Sequence, residues 1–258
     1  MKQRFSSDIG WSTADKITIR GKSLPDDILG KINLGDFAFF QMTGVLPTKE
    51  QGEVFNAILV ALVEHGLTPS ALVARLTYAG APESLQAAVA AGLCGLGTVF
   101  VGTMEGAARY LSEAVPLGTK PQADLDELAT AIVDKFFAAK QAIPGLGHPI
   151  HKPVDPRTKP LLAIAERNGF GGVYIDLVQR VQREAERKSG KNLPLNATGA
   201  IGAIACELGF EWGVIRGFGV LARSIGLVGH IMEERRNPLA LKVWTAAEDE
   251  ASSHFKEP

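Results

Sequence analysis

The 258-residue sequence predicts an all-α protein with one short N-terminal strand or hairpin. Three observations carry this. Apolar residues recur at helical spacing in one segment after another, and Gly, Pro and cap residues punctuate those segments. Strand-like alternation is confined to Lys16-Ile-Thr-Ile-Arg20, so no strand–helix alternation builds a parallel sheet. Glycine is abundant (28 residues) while aromatics make up 7 %, which predicts helices packed closely through small residues rather than around bulky cores.

The elements follow in order. Residues 16–20 alternate and run into Gly21-Lys22, a turn signal. Thr48 with Gln51 three positions later reads as a capping box, and Val54, Phe55, Ile58, Leu59 and Leu62 share one helix face before Gly66 stops it. Thr68-Pro69 restarts a helix with Leu72, Val73 and Leu76 on its face, ending near Gly80. Leu85, Val89, Leu93 and Leu96 mark another helix. Gly95, Gly97 and Gly102 loosen the chain before the next begins near Met104-Glu105. Leu125, Leu128, Ile132, Val133, Phe136 and Phe137 form a strong amphipathic stretch that Pro144 ends. A stiff basic loop follows, PGLGHPIHKPVDPRTKP over 144–160, in which Asp155 and Pro156 read as N-cap and first helical residue. Helices are then expected at Leu161–Asn168, Val173–Lys188, Ala197–Leu208 and Glu211–Arg235, with a polar, fraying tail after Trp244.

The totals exclude several classes of function. Net charge is −1 with dispersed basic residues, which argues against a nucleic-acid binder. No stretch approaches about 18 uninterrupted apolar residues, and the first residues lack an apolar signal core. A cytoplasmic protein without membrane contact is the expectation. Cys94 and Cys206 lie in apolar helical stretches and read as buried, reduced thiols. There is no Walker loop, no Gly-x-Gly-x-x-Gly after a strand and no nucleophile elbow.

Chemistry-bearing residues sit at helix ends and breaks. His65 precedes Gly66 and on local grounds reads equally as a C-cap. His148 follows Gly145-Leu146-Gly147, a loop that either exposes backbone N–H groups or merely turns. His151 reads as a solvated loop residue. With His148 it offers two imidazoles three apart but no third ligand nearby, so no metal is expected. Arg223 lies in an otherwise apolar stretch, where a charge is costly unless paired with an internal carboxylate or a bound anion.

As an ordered set these segments resemble the citrate synthase and citryl-CoA lyase family, including the lyase module of ATP-citrate lyase. The resemblance runs through Glu64–Ser70, Val99–Glu105, Gly145-Leu146-Gly147-His148, Asp155-Pro156-Arg157, Leu195-Asn196-Ala197-Thr198-Gly199 and Val220–His230. It implies a two-domain helical fold, with residues 1–105 and 203–258 in a large domain and 106–202 in a small one. It implies a homodimer or higher even oligomer. By the same resemblance His148, His65 and Thr198 are catalytic positions, and Arg157, Arg223, Phe100 and Asn196 face the substrate. Ile143, Gly145, Leu146, Gly147 and Lys152 would hold coenzyme A, present as an acyl-CoA substrate. The implied partners are an acyl-CoA and a 2-oxo acid or hydroxy-polycarboxylate.

The implied reaction is cleavage of a citryl-CoA-like 3-hydroxyacyl-CoA to an acyl-CoA and a 2-oxo acid, or its reverse. A citrate synthase-type condensing enzyme and a non-catalytic thioester-binding relative are the alternatives. Two departures stand out. Phe100 occupies a position where condensing synthases carry histidine and ATP-citrate lyase modules carry phenylalanine. Thr198 stands where the family has its catalytic aspartate, and a hydroxyl is a poor acid or base near neutral pH. Glu105, His151 or a water held by Thr198 are the candidate substitutes.

Overall fold

The computed structural model describes residues 6–255, so the extreme ends of the expected large domain, 1–5 and 256–258, lie outside the described residues. The chain forms two compact units, Met1–Ala57 and Ile58–Pro258.

In the first unit the alternating stretch becomes part of an antiparallel meander. Strands β1 (Gly10–Ser12), β2 (Ile17–Ile19) and β3 (Lys22–Ser23) pair in chain order, with Trp11 opposite Thr18 and Thr18 opposite Ser23. Arg20 and Gly21 turn between β2 and β3 with φ of 44° and 79°. β1 has no alternating apolar face and is fully exposed, so nothing in its composition announces a strand. Helix α1 (Leu34–Thr43) is capped by Asn33, whose side-chain oxygen accepts from Asp36 N at 2.8 Å. Helix α2 (Lys49–Val63) starts with the expected reciprocal box: Thr48 N donates to Gln51 Oε1 at 3.0 Å and Gln51 N to Thr48 Oγ1 at 3.2 Å. Phe39 meets Phe55 edge-on, ring centres 5.4 Å apart, in this unit's core.

The second unit contains helices α3 (Pro69–Gly80), α4 (Leu85–Cys94), α5 (Gly102–Ala114), α6 (Leu125–Ala138), α7 (Thr158–Arg167), α8 (Val173–Ser189), α9 (Ala197–Glu207), α10 (Arg216–Arg236) and α11 (Ala240–Ala251). Helix α9 is the hub of one cluster, with α5, α7 and α8 packed on it and α6 on α8. Its small residues make this possible: a Cβ on Gly202 would lie 2.7 Å from Met104 O. Helices α3, α4, α10 and α11 form the other cluster.

Three expectations change. The tail does not fray after Trp244, because α11 continues to Ala251 and a 3₁₀ turn follows at Ser253–Phe255. Asp155 is not the N-cap of α7, which begins at Thr158. Its carboxylate has a different task, described below. Cys206 is buried, and burial pushes its thiol up to about 12, but Cys94 is exposed at the C-terminal end of α4.

Candidate active site

The loop after α6 is fastened to the segment before α9 by main-chain bonds. Asn196 N donates to Gly145 O at 3.0 Å and Gly147 N to Pro194 O at 2.8 Å, and Leu146 and Leu195 form an antiparallel bridge. Gly145 has φ of 88°, and a Cβ there would lie 2.5 Å from the Gly199 Cα, so only glycine fits this crossing. Asn196 closes the join with its side chain. Nδ2 donates to Gly147 O at 2.6 Å, while Oδ1 accepts from Gly199 N at 3.0 Å as the N-cap of α9.

That arrangement fixes Thr198. With Asn196 Oδ1 identified as an acceptor, the contact of 2.6 Å between it and Thr198 Oγ1 requires the threonine hydroxyl to donate. Thr103 Oγ1 lies 2.8 Å from Thr198 Oγ1 and 2.9 Å from Phe100 O, and its one proton serves these two acceptors. The one proton of Thr198 is therefore committed inside the protein.

His148 is fixed in the same way. Its Nδ1 accepts from the N–H groups of Ile150 (3.1 Å) and His151 (2.9 Å). A neutral imidazole whose Nδ1 accepts carries its proton on Nε2, so His148 is a hydrogen-bond donor at Nε2. Burial, followed by the neighbouring His151, holds its pKa below the ordinary histidine value, against the opposing pull of Asp155.

Asp155, fully buried, joins two elements. Oδ1 accepts from Arg157 N (3.0 Å) and Nε (3.1 Å), and Oδ2 from Arg157 Nη2 (2.9 Å) and Ala197 N (3.0 Å). Burial opposes its ionisation, but the Arg157 guanidinium and these N–H donors outweigh it and bring its pKa to about 2. Arg157 is thereby held by one edge, and its Nη1–Nη2 edge remains for a carboxylate. Arg223, in α10, is 8 % exposed, and its Nε and Nη1 are buried with no hydrogen-bond partner among the described residues. Burial lowers its pKa, with Glu64 acting the other way.

His65 follows α2. Its Nε2 lies 3.0 Å from Nε2 of His151, whose ring stacks on His148 at 4.3 Å between centres. Burial first, then the charges of Arg157, His151 and Arg223, lower the His65 pKa. A network centred on the buried Arg75 stands behind it. Arg75, 1 % exposed, donates to Glu234 at 2.8 Å, to Glu233 and to His230 Nδ1. His230 Nε2 in turn meets Glu64 at 3.0 Å, and Glu64 Oε1 accepts from the N–H of His65 (2.9 Å) and Gly66 (2.7 Å).

One cavity of about 880 Å³ gathers most of the expected residues: His65, Phe100, Ile143, Gly145, Leu146, Gly147, His148, Arg157, Asn196 and Thr198 all line it. A smaller adjoining cavity shares five of these and adds Arg223. Lys152 is exposed and lines neither. His151 is not a solvated loop residue but half-buried behind His65 and His148. The third imidazole absent from its sequence neighbourhood is supplied by the fold, since His65, His148 and His151 bring ligand-type nitrogens within 4.8 Å of one another. His148 Nδ1 is already taken by two N–H groups, which leaves two rings to share a cation beside two guanidiniums. Glu105 is tied to Arg216 through both oxygens, at 2.8 and 3.2 Å, and lines neither cavity. The Arg75 network escaped sequence reading, although the argument that singles out Arg223 applies equally to an arginine on the apolar face of α3.

Residues 33–242 match the family described as citrate synthase, C-terminal domain. The chain is 30 % identical over 195 residues to a probable ATP-citrate synthase subunit 1 of Schizosaccharomyces pombe, covering 69 % of this chain and 30 % of that protein. Among solved structures, citryl-CoA lyase from Hydrogenobacter thermophilus superposes with a TM-score of 0.80 at 34 % identity, over 90 % of this chain and 87 % of that one. ATP citrate lyase from Methanothrix soehngenii, solved with citrate and coenzyme A, shares the fold at a TM-score of 0.75 and 24 % identity, over 92 % of this chain and 39 % of that one.

Proposed function

The chain belongs to the citrate synthase family, and from that premise we propose that it is a CoA-dependent carbon–carbon lyase. It cleaves a citryl-CoA-like 3-hydroxyacyl-CoA to an acyl-CoA and a 2-oxo acid, or runs the reverse condensation. The likeness to citryl-CoA lyase over nearly the whole of both chains supports the lyase reading, as does Phe100 on the wall of both cavities.

The observation that carries the proposal is the pairing of two anion-ready guanidiniums with a fixed donor. Cleavage beside a thioester builds negative charge on the thioester oxygen, and His148 Nε2–H is a preset donor that need not reorganise. Arg157 offers its Nη1–Nη2 edge, and Arg223 offers buried donors with no partner among the described residues, so together they suit the carboxylates of the oxo-acid half. The apolar wall of Ile143–Gly147 suits the pantetheine arm of CoA, and Lys152, at the rim of the same loop, a phosphate.

The proposal extends to a cytoplasmic homodimer or higher even oligomer with a large domain (1–105 and 203–258) and a small one (106–202). Trp212–Arg236 is, among the described residues, the one stretch long and apolar enough to cross a membrane. Its Arg223, Glu233 and Glu234 are charged, however, and the two glutamates hold buried Arg75, which favours a helix of the protein interior.

Thr198 favours a second reading, a relative that binds the thioester without turning it over, because its hydroxyl proton is committed to Asn196. Incubation with citryl-CoA and with malyl-type and citramalyl-type thioesters separates the two. Acyl-CoA and 2-oxo acid are expected from at least one. Release from none, with no condensation of acetyl-CoA and 2-oxo acids, leaves only the binding role.

A further inference from the structure

A retro-condensation needs a base to take the proton of the substrate's 3-hydroxyl and an acid to return a proton to the α-carbon of the acyl group. Among the described residues, no Asp, Glu, Cys, Lys or Tyr lines either cavity. Thr198 gives its proton to Asn196. His148 carries its proton on Nε2 and has Nδ1 engaged by two N–H groups, so using it as an acid would leave an imidazolate and using it as a base would break both bonds. Asp155 is spent on Arg157 and Ala197, and Glu105 on Arg216. One lining group able to exchange a proton near neutral pH is left, His65, and it is not alone. Two imidazole nitrogens 3.0 Å apart require one to carry a proton and the other to accept it.

Resting on the lyase reading above, we propose that His65 is the acid–base residue of this site and that His151 is its positioning partner, the two rings sharing one proton across the Nε2···Nε2 contact. In the productive tautomer His65 Nε2–H donates to His151, which leaves His65 Nδ1 unprotonated. No described residue hydrogen-bonds that atom. The substrate hydroxyl gives its proton to His65 Nδ1, and the shared proton shifts to His151 Nε2. The bond between the alcohol carbon and the α-carbon of the acyl group breaks, and its electron pair becomes the thioester enolate held by His148. The shared proton then returns to His65 Nε2 and the Nδ1 proton goes to the α-carbon of the acyl group. One proton leaves oxygen and one arrives on carbon, so the enzyme ends as it began. In the substrate the hydroxyl oxygen and the α-carbon are bonded to the same atom, so one ring nitrogen can serve both.

Around the pair, Arg157 and Arg223 disfavour an extra positive charge while Asp155 favours it. Glu64 grips the His65 N–H, and His148 stacks on the partner ring. Moving charge from His65 to His151 is the use of the second ring.

The test compares wild type with His65→Gln, His151→Gln and His151→Phe in citryl-CoA cleavage across pH, alongside ¹⁵N NMR of the ring nitrogens. His65→Gln is expected to lower kcat by about 10²–10⁴-fold. His151→Phe and His151→Gln are both expected to lower kcat by at least about tenfold and to move the acid limb of the pH profile, with KM changed little. Gln keeps a hydrogen-bond partner for His65 but takes no proton, so a His151→Gln enzyme with wild-type kcat and profile overturns the shared proton. Two protonated Nε2 atoms in the wild-type spectrum do the same. Activity lost to a chelator and restored by zinc overturns it in favour of a metal on these rings. A wild type that acts on no thioester sinks the lyase reading itself, an outcome distinct from an active wild type indifferent to position 151.

Discussion

Replacing Asp155 with Asn removes one charge from a site where four N–H groups converge. The carboxyl falls from an ordinary 3.8 to about 2 in the folded protein. At about 1.4 kcal/mol per unit, that drop represents about 2.5 kcal/mol of stability. The amide adds a loss that does not titrate, because its NH₂ faces N–H donors on one side. The total at pH 7 is about 3–5 kcal/mol. A carboxylate whose folded pKa lies below its unfolded value contributes fully above the unfolded value and loses that contribution as pH falls toward the folded one. The gap between wild type and variant is therefore wide at pH 7 and closes by about 2.5 kcal/mol between about pH 5 and pH 2. Urea unfolding by tryptophan fluorescence and far-UV circular dichroism, repeated down the pH scale as far as the wild type stays folded, reads the gap directly. A gap that stays constant from pH 7 to 3 refutes the electrostatic account and reduces Asp155 to a packing residue.

Arg223→Met removes a buried guanidinium with two orphaned donors, so the unliganded variant is expected to be about 1–3 kcal/mol more stable than wild type. It should also lose the rise in Tm that citrate or oxaloacetate gives the wild type, and scanning calorimetry with and without ligand checks both. Gly145→Ala combines a φ of 88° with a Cβ 2.5 Å from Gly199 and should cost about 2–4 kcal/mol in urea unfolding; Gly169→Ala, at φ 83° with nothing within 4 Å, should cost only about 1 kcal/mol. Glu105→Gln should leave cleavage within about threefold of wild type in a thioester assay, since its carboxylate serves Arg216 rather than the cavity. Thr198→Asp places a carboxylate in the first turn of α9, which the helix dipole favours, and should restore to the His151→Phe enzyme most of the kcat it lost.

Legibility in the sequence followed the range of the forces involved. Helices with a strong apolar period, such as α6 and α8, and the Thr48 box are local and could be read to within a few residues. His65, His148, Arg157 and Arg223 could be proposed because each sits in a short segment whose order along the chain resembles a family. Asp155 reads as a helix cap because Asp-Pro is a local signal, but beyond Arg157 its Oδ2 serves Ala197 N, 42 positions away. His151 was unreadable for the same reason. Its meaning comes from His65, 86 positions earlier, and no spacing rule reaches that far. Thr198 was legible as a departure, but the direction of its hydroxyl follows only from the amide orientation of Asn196.

The electrostatics of the site also tie proton affinity to occupancy. His65 is held below its ordinary pKa by burial and then by Arg157 and Arg223 among its neighbours. Asp155 partly offsets Arg157, but Arg223 has no bonded counter-ion among the described residues and feels Glu64 only at a distance, so the cavity without ligand carries excess positive charge. A carboxylate seated on either arginine cancels part of that charge and raises the proton affinity of His65 at the moment a substrate hydroxyl comes within reach. The free site keeps its imidazole neutral and a weak base, and the carboxylates of the substrate strengthen it. Binding groups remote from the broken bond would thus contribute to its breaking, and a thioester lacking a carboxylate would lose kcat as well as affinity.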